Sequence, residues 1–177
     1  MFPPLTLVLG GASSGKSDAA EKLIVLSDLP RVYIATAQAF DDEMRAKIAD
    51  HKVARGPDWR TIEAPLDVVA ALDHAGDHEI VLLDCATLWL TNQILADRDI
   101  RTESAALLAA LTRCAAPVVV VSNEVGQGIV PENALARMFR AEQGRLNRLL
   151  AAQADRVAGV MAGLPFVLKG EFPEDIF

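Results

Sequence analysis

The chain has 177 residues, 51% of them hydrophobic, and a formal net charge of -7 at pH 7. That length suits one α/β domain over residues 1–177, with a core large enough to need no metal or disulfide staple. The acidic balance argues against a general nucleic-acid binder, whose phosphate partner needs a positive face, yet it leaves room for a local basic cleft around a small phosphorylated ligand.

In chain order, the first apolar run is residues 5–9, directly after Met1-Phe2-Pro3-Pro4. It has no basic stretch before it and is too short for a signal peptide or a membrane span, and the longest run, residues 115–121, is also too short. A soluble cytoplasmic protein is expected, with no membrane partner. Further Val-, Ile- and Leu-rich runs at residues 32–35, 80–84, 118–122 and 157–161, with a shorter one at 60–63, suit strands buried on both faces of a parallel sheet. Residues 166–169 follow Gly163-Leu164-Pro165 and are expected to turn back as an antiparallel edge strand. Helical patterns lie between the runs, at residues 16–26, 41–51, 66–75, 88–96, 102–115 and 131–154. Pro131 suits the first helical position of the last. This alternation predicts an α/β fold with a mostly parallel sheet flanked by helices. Cys85 and Cys114 read as small buried hydrophobes in a reducing compartment.

The segment Gly10-Gly11-Ala12-Ser13-Ser14-Gly15-Lys16-Ser17 matches G-x-x-x-x-G-K-[ST] in full. It stands between an apolar strand and an amphipathic helix, the context of a phosphate-binding loop, and makes the expected fold P-loop NTPase-like. Loop amides curl around an anionic phosphate, and the positive end of the helix points at it. Lys16 is expected to reach the β- and γ-phosphates, and the Ser17 hydroxyl to ligate Mg2+. Asp84 ends the run Ile80-Val81-Leu82-Leu83, where a carboxylate can hold the same ion; an Asp also simply ends strands or caps helices. Ser122-Asn123-Glu124 closes another run, at the strand end where open α/β sheets bind ligands, and reads equally well as a phosphate or acceptor contact or as a capped loop. Asn-Lys-x-Asp, the guanine-reading motif, is absent, and so is an Arg-rich lid.

Residues 41–59 place His51 among Lys47, Lys52 and Arg55. An imidazole flanked by cations can attack phosphorus, because the cations hold the phosphate oxygens; a surface His on a charged helix is the plainer reading. His74 and His78 read as solvent-facing.

The chain resembles the bifunctional adenosylcobinamide kinase / adenosylcobinamide-phosphate guanylyltransferase family of cobalamin biosynthesis. The resemblance runs from about Leu5 to Lys169 and rests on separate segments. They are the phosphate loop, Tyr33-Ile34-Ala35-Thr36, Asp41-Asp42-Glu43-Met44, His51 with Arg55 and Trp59, Thr61-Ile62-Glu63-Ala64-Pro65-Leu66, Leu83-Asp84-Cys85 and Leu88-Trp89-Leu90-Thr91-Asn92. The most distinctive is Ser122-Asn123-Glu124-Val125-Gly126-Gln127-Gly128-Ile129-Val130-Pro131-Glu132. Ser13 stands where the family usually carries Arg, and Asp50-His51 where some relatives have two histidines.

The resemblance implies two reactions. ATP or GTP phosphorylates the aminopropanol hydroxyl of adenosylcobinamide. His51 then takes GMP from GTP and passes it to adenosylcobinamide phosphate, giving adenosylcobinamide-GDP. It implies catalytic roles for His51 and Lys16, and nucleotide contacts from residues 10–17, Ile34, Ala35, Thr36, His51, Lys52, Val53, Ala54, Glu63 and Asp84. It also implies a homotrimer. Two readings stand beside it: a single-activity P-loop kinase in which His51 is only a surface residue, and a nucleotide-dependent switch protein.

Overall fold

The computed structural model describes residues 2–38 and 56–173. Among the described residues seven strands form one sheet: β1 (Leu5–Gly10), β2 (Arg31–Ala35), β3 (Trp59–Glu63), β4 (Ile80–Asp84), β5 (Val118–Asn123), β6 (Arg156–Met161) and β7 (Leu164–Lys169). Their order is β3-β2-β4-β5-β1-β6-β7. Every pairing is parallel except β6 with β7. The expected antiparallel edge strand is therefore present, and it carries Pro165 at the sheet margin, where a missing N–H is tolerated.

Five described helices flank the sheet: α1 (Lys16–Val25), α2 (Val68–Asp73), α3 (Ala86–Leu95), α4 (Ile100–Arg113) and α5 (Ala134–Gln153). The helix expected at residues 41–51 lies outside the described residues. Strand alternation sorts the core into two layers. Leu5, Leu7, Val32, Ile34, Val81, Leu83, Val118 and Val120 pack toward α2–α5. Val8, Tyr33, Ile80, Leu82, Val119 and Val121 pack toward α1, which contributes Ala20, Leu23 and Ile24. Continuous apolar runs are what such a two-sided sheet requires.

Helix starts differ from the sequence reading for identifiable reasons. α3 begins at Ala86 rather than at residue 88, because Cys85 serves as its cap, its Sγ accepting from Leu88 N at 3.4 Å. α4 begins at Ile100, two residues before the expected Thr102, because Asp99 caps it at 2.7 Å. Pro131 is not the first residue of α5. Asn133 caps that helix, accepting from Ala136 N at 2.7 Å, and Ala134 opens it. Pro131 instead offers its carbonyl to Arg137 Nη1 at 3.0 Å.

Candidate active site at the phosphate loop

The loop of residues 10–17 leaves the carboxyl end of β1 and enters α1. Gly15 caps that helix with φ 88, a backbone that glycine adopts freely. Gly10 is needed for a different reason: a Cβ there would lie 2.3 Å from Ser14 Oγ and 2.8 Å from Val160 O. The loop is also tied to the β6–β7 turn, where Gly163 N donates to Ser14 O at 2.8 Å. Lys16 Nζ donates to Gly11 O at 3.1 Å, a carbonyl contact that an incoming phosphate can replace.

α1 lies over β1, β4, β5 and β6. On that same face Asp84 ends β4, and Tyr33 OH donates to its Oδ2 at 3.0 Å. Burial, reinforced by Asp84, pushes the Cys85 thiol up to about 11, while Lys16 pulls it the other way. The Lys16 ammonium is thus within electrostatic reach of the end of β4. β5 stands between β1 and β4, so the loop and Asp84 flank one intervening strand, a lateral separation of about 10 Å. Ser17 is partly exposed at the start of α1. Among the described residues no group of three or more His, Cys, Asp and Glu stands together. One hydroxyl and one carboxylate nevertheless fit Mg2+, which keeps several waters and takes few protein ligands beside substrate phosphates.

Other residues named from the sequence fall into three groups. Ile34 is fully buried and faces α2–α5. Thr36 is fully buried too; its Oγ1 donates to Cys85 O and accepts from Cys85 N, both at 2.8 Å, and its carbonyl accepts from Asn92 Nδ2 at 2.8 Å. Of these neighbours Ala35 retains exposed surface. Ala35 pairs with both Glu63 and Asp84, so all three stand level at the carboxyl edge. Glu63 is exposed on β3, four strands from β1 and therefore about 19 Å away laterally. His51, Lys52, Val53 and Ala54 lie outside the described residues.

Sequence reasoning missed a buried polar cluster behind the end of β5. Ser122 Oγ donates to Asn147 Oδ1 at 2.7 Å, and Gln143 Nε2 donates to both, at 2.9 Å each. Asn147 Nδ2 donates to Asn123 O at 2.9 Å, and Asn123 N donates to Thr87 Oγ1 at 2.7 Å. Arg140 reaches from α5 to the carbonyls of Gly126 and Ile129 and so fixes the loop after β5. Apart from Ser122-Asn123 at the end of its run, the sequence signal was polar residues recurring at helical spacing on α5, which equally suits a solvated face. A cavity of about 600 Å³ adjoins the loop on this side, lined by Gly11, Ser13, Glu124, Gln127, Met161 and Phe166 among others.

A mostly parallel sheet with a full phosphate loop, a lysine on it and an acidic residue at the end of the next strand but one defines a P-loop nucleotide-binding protein. The family model for cobinamide kinase / cobinamide phosphate guanyltransferase matches residues 6–168, and the chain belongs to that family. It is 46% identical to the bifunctional adenosylcobalamin biosynthesis protein CobP of Pseudomonas aeruginosa, over 93% of this chain and 97% of that protein. Identity to the bifunctional adenosylcobalamin biosynthesis protein CobU of Salmonella typhimurium is also 46%, and to that of Escherichia coli 44%, each covering 93% of this chain and 99% of the relative. Among solved structures, a Pyrococcus horikoshii protein superposes with a TM-score of 0.50 at 13% identity, covering 99% of this chain and 91% of that one. The RadB recombinase gives a TM-score of 0.48 at 18% identity, over 89% of this chain and 74% of the other.

Proposed function

We propose that this chain performs both reactions of its family, phosphorylating cobinamide and then transferring GMP to cobinamide phosphate. The observation that carries the reading is the complete phosphate loop, braced and facing Asp84, in a chain 46% identical to bifunctional CobP and CobU over nearly its whole length.

In the first reaction the cobinamide hydroxyl oxygen attacks the γ-phosphorus of ATP or GTP. The bond to the β–γ bridging oxygen breaks, the nucleoside diphosphate leaves with the electron pair, and the hydroxyl proton passes to solvent. Little covalent chemistry falls to the protein, so catalysis is positioning and charge stabilisation. Lys16 exchanges Gly11 O for phosphate oxygens, while the amides of residues 11–17 hold the rest of the charge. Ser17 and Asp84 would hold Mg2+, which when bound offsets the negative charge of the phosphates. Tyr33 orients the Asp84 carboxylate through their hydrogen bond.

In the second reaction a His51 ring nitrogen attacks the α-phosphorus of GTP and pyrophosphate leaves. A phosphate oxygen of cobinamide phosphate then displaces the histidine, regenerating it. A covalent route divides one difficult displacement into two easier ones. The nucleotide contacts assigned to Ala35, Lys52, Val53, Ala54 and Glu63 belong to this step. Ala35 and Glu63 stand level with Asp84 along the edge that a nucleotide anchored at the loop would follow. The backbones of Ile34 and Thr36 flank Ala35 there.

The homotrimer that the family resemblance implies would have apolar surface to cover, with Ile129 94%, Val130 70% and Leu164 71% exposed. No helix among the described residues is long and apolar enough to cross a membrane. The two cysteines are free, which suits a reducing compartment such as the cytoplasm.

The test is to incubate the protein with Mg2+ and GTP labelled at the α-phosphate. Acid-labile, base-stable label is expected on wild-type protein and not on His51→Ala. Equal labelling of the two, or none on wild type, removes the guanylyl half of the reading.

A further inference from the structure

The end of β5 is held with more apparatus than a strand end needs. Both backbone polar groups of Asn123 are bonded by side chains, N–H by Thr87 and C=O by Asn147, and Asn147 is braced by Ser122 and Gln143. Thr87, Ser122, Gln143 and Asn147 are all buried. These partners come from the α2–α5 side. Asn123 itself follows Val119 and Val121 in alternation, so its side chain lies on the opposite side, under α1.

That is the side of the phosphate loop. Asn123 pairs with Gly10, the first loop residue, and stands two positions beyond Val121, which pairs with Asp84. The carboxamide is therefore on the one strand between the loop and the acidic residue, at the carboxyl edge. Among the described residues, Asn123 Oδ1 and Ser14 Oγ are both buried without a hydrogen-bond partner. Ser14 Oγ lies where a Cβ on Gly10 would point, so both unpartnered groups belong to the same level of the sheet. Buried polar groups are almost always bonded, so each exception calls for an explanation, and at the end of the strand beside the phosphate loop a ligand supplies one.

We propose that Asn123 is a phosphate-contacting residue of the kinase reaction, its carboxamide donating from Nδ2 to a γ-phosphoryl oxygen as that group leaves the diphosphate. The proposal deepens the functional reading above and rests on it for the identity of the acceptor. A neutral donor suits the place. It stabilises charge spreading over the equatorial oxygens without binding the diphosphate product more tightly, as a second lysine would. The carboxamide needs only rotation about its last side-chain bond to present Nδ2. GMP transfer breaks the bond at the α-phosphorus, so that reaction depends on Asn123 far less.

Asn123→Ala and Asn123→Asp test this. Phosphoryl transfer to cobinamide should fall about 100-fold in kcat for Asn123→Ala, and further for Asn123→Asp, with nucleotide KM within about threefold. Protein labelling from α-labelled GTP should stay within about threefold of wild type. A second measurement needs no corrinoid: affinity for the nucleoside diphosphate with Mg2+, with and without aluminium fluoride, a mimic of the transferring phosphoryl group. The gain from aluminium fluoride should be lost in Asn123→Ala while diphosphate affinity is kept. Asn123→Ala with wild-type kcat and an intact aluminium fluoride gain overturns the proposal, as does equal loss of diphosphate affinity, labelling and kcat. Wild-type protein that transfers nothing to cobinamide, yet loses the aluminium fluoride gain on Asn123→Ala, overturns the acceptor and upholds Asn123.

Discussion

The two ends of the carboxyl edge are built differently. At β1 and β5 the phosphate loop is braced by the β6–β7 turn, and the neighbouring strand end is clamped by four buried polar side chains. At β3 the strand is an outer one and Glu63 is exposed, while near the amino end of the same strand the ion pair of Arg60 with Glu79 has its arginine 47% exposed. The phosphate end needs fixed geometry, because positioning and oriented dipoles are most of what phosphoryl transfer requires. The β3 end only has to accommodate the rest of a ligand anchored elsewhere. Substitutions of similar size should therefore cost much more at the first end than at the second.

The largest effect is expected from Asn147→Ala. It strips partners from Ser122, Gln143 and the Asn123 carbonyl at once, and each stranded buried group costs about 1–3 kcal/mol. Urea unfolding should show a loss of about 3 kcal/mol, with kinase turnover falling as well. A loss under about 0.5 kcal/mol would break the contrast between the two ends. Gly10→Ala comes next. Its methyl meets Val160 O, a backbone atom that cannot swing away, whereas Gly11→Ala points into open space. Overpacking of about 1–3 kcal/mol is expected for the first, seen as a lower Tm, and almost none for the second. If the two alanines melt alike, Gly10 is not sterically special.

The smallest effect is expected away from the carboxyl edge, at Glu79, which precedes β4 and pairs with Arg60 near the amino end of β3. Burial alone would raise the Glu79 carboxyl, but the Gly76 N–H and Arg60 together hold it below its usual value. A depressed folded pKa gives stability that is present above the unfolded value of 4.5 and is lost as pH falls through the folded one. With Arg60 half exposed, solvent screening limits the whole contribution to under about 1 kcal/mol. Glu79→Gln should remove that much stability at pH 7 and much less at pH 3. A larger loss at low pH than at neutral pH would contradict the sign.

The sequence made some of this visible and hid the rest for physical reasons. Residues 10–17 and the runs ending at Asp84 and Met161 were legible because a phosphate loop and two-sided strands leave contiguous patterns. Their mutual placement was not legible: that β5 separates β1 from β4 is a matter of strand order, which no local pattern records. The resemblance implied a nucleotide contact for Thr36; that its hydroxyl is committed to Cys85 was not legible, because the partner lies far along the chain on another strand end. Thr87, Gln143 and Asn147 were invisible as a cluster because they lie up to 60 positions apart and meet only behind β5. Cys85 as a helix cap defeats the usual start signal, since Ser, Thr, Asp and Asn are the residues that normally fill it.

Phosphoryl transfer to cobinamide depends on the phosphate loop and its lysine. The most direct measurement is transfer of label from γ-labelled ATP or GTP to cobinamide, with Mg2+, by wild-type protein and by Lys16→Ala. Wild type should label the corrinoid, and Lys16→Ala should do so at least about 100-fold more slowly with an unchanged Tm, because among the described residues the Lys16 ammonium is bonded to Gly11 O and its side chain is not part of the buried core. Equal labelling by the two proteins would contradict the account.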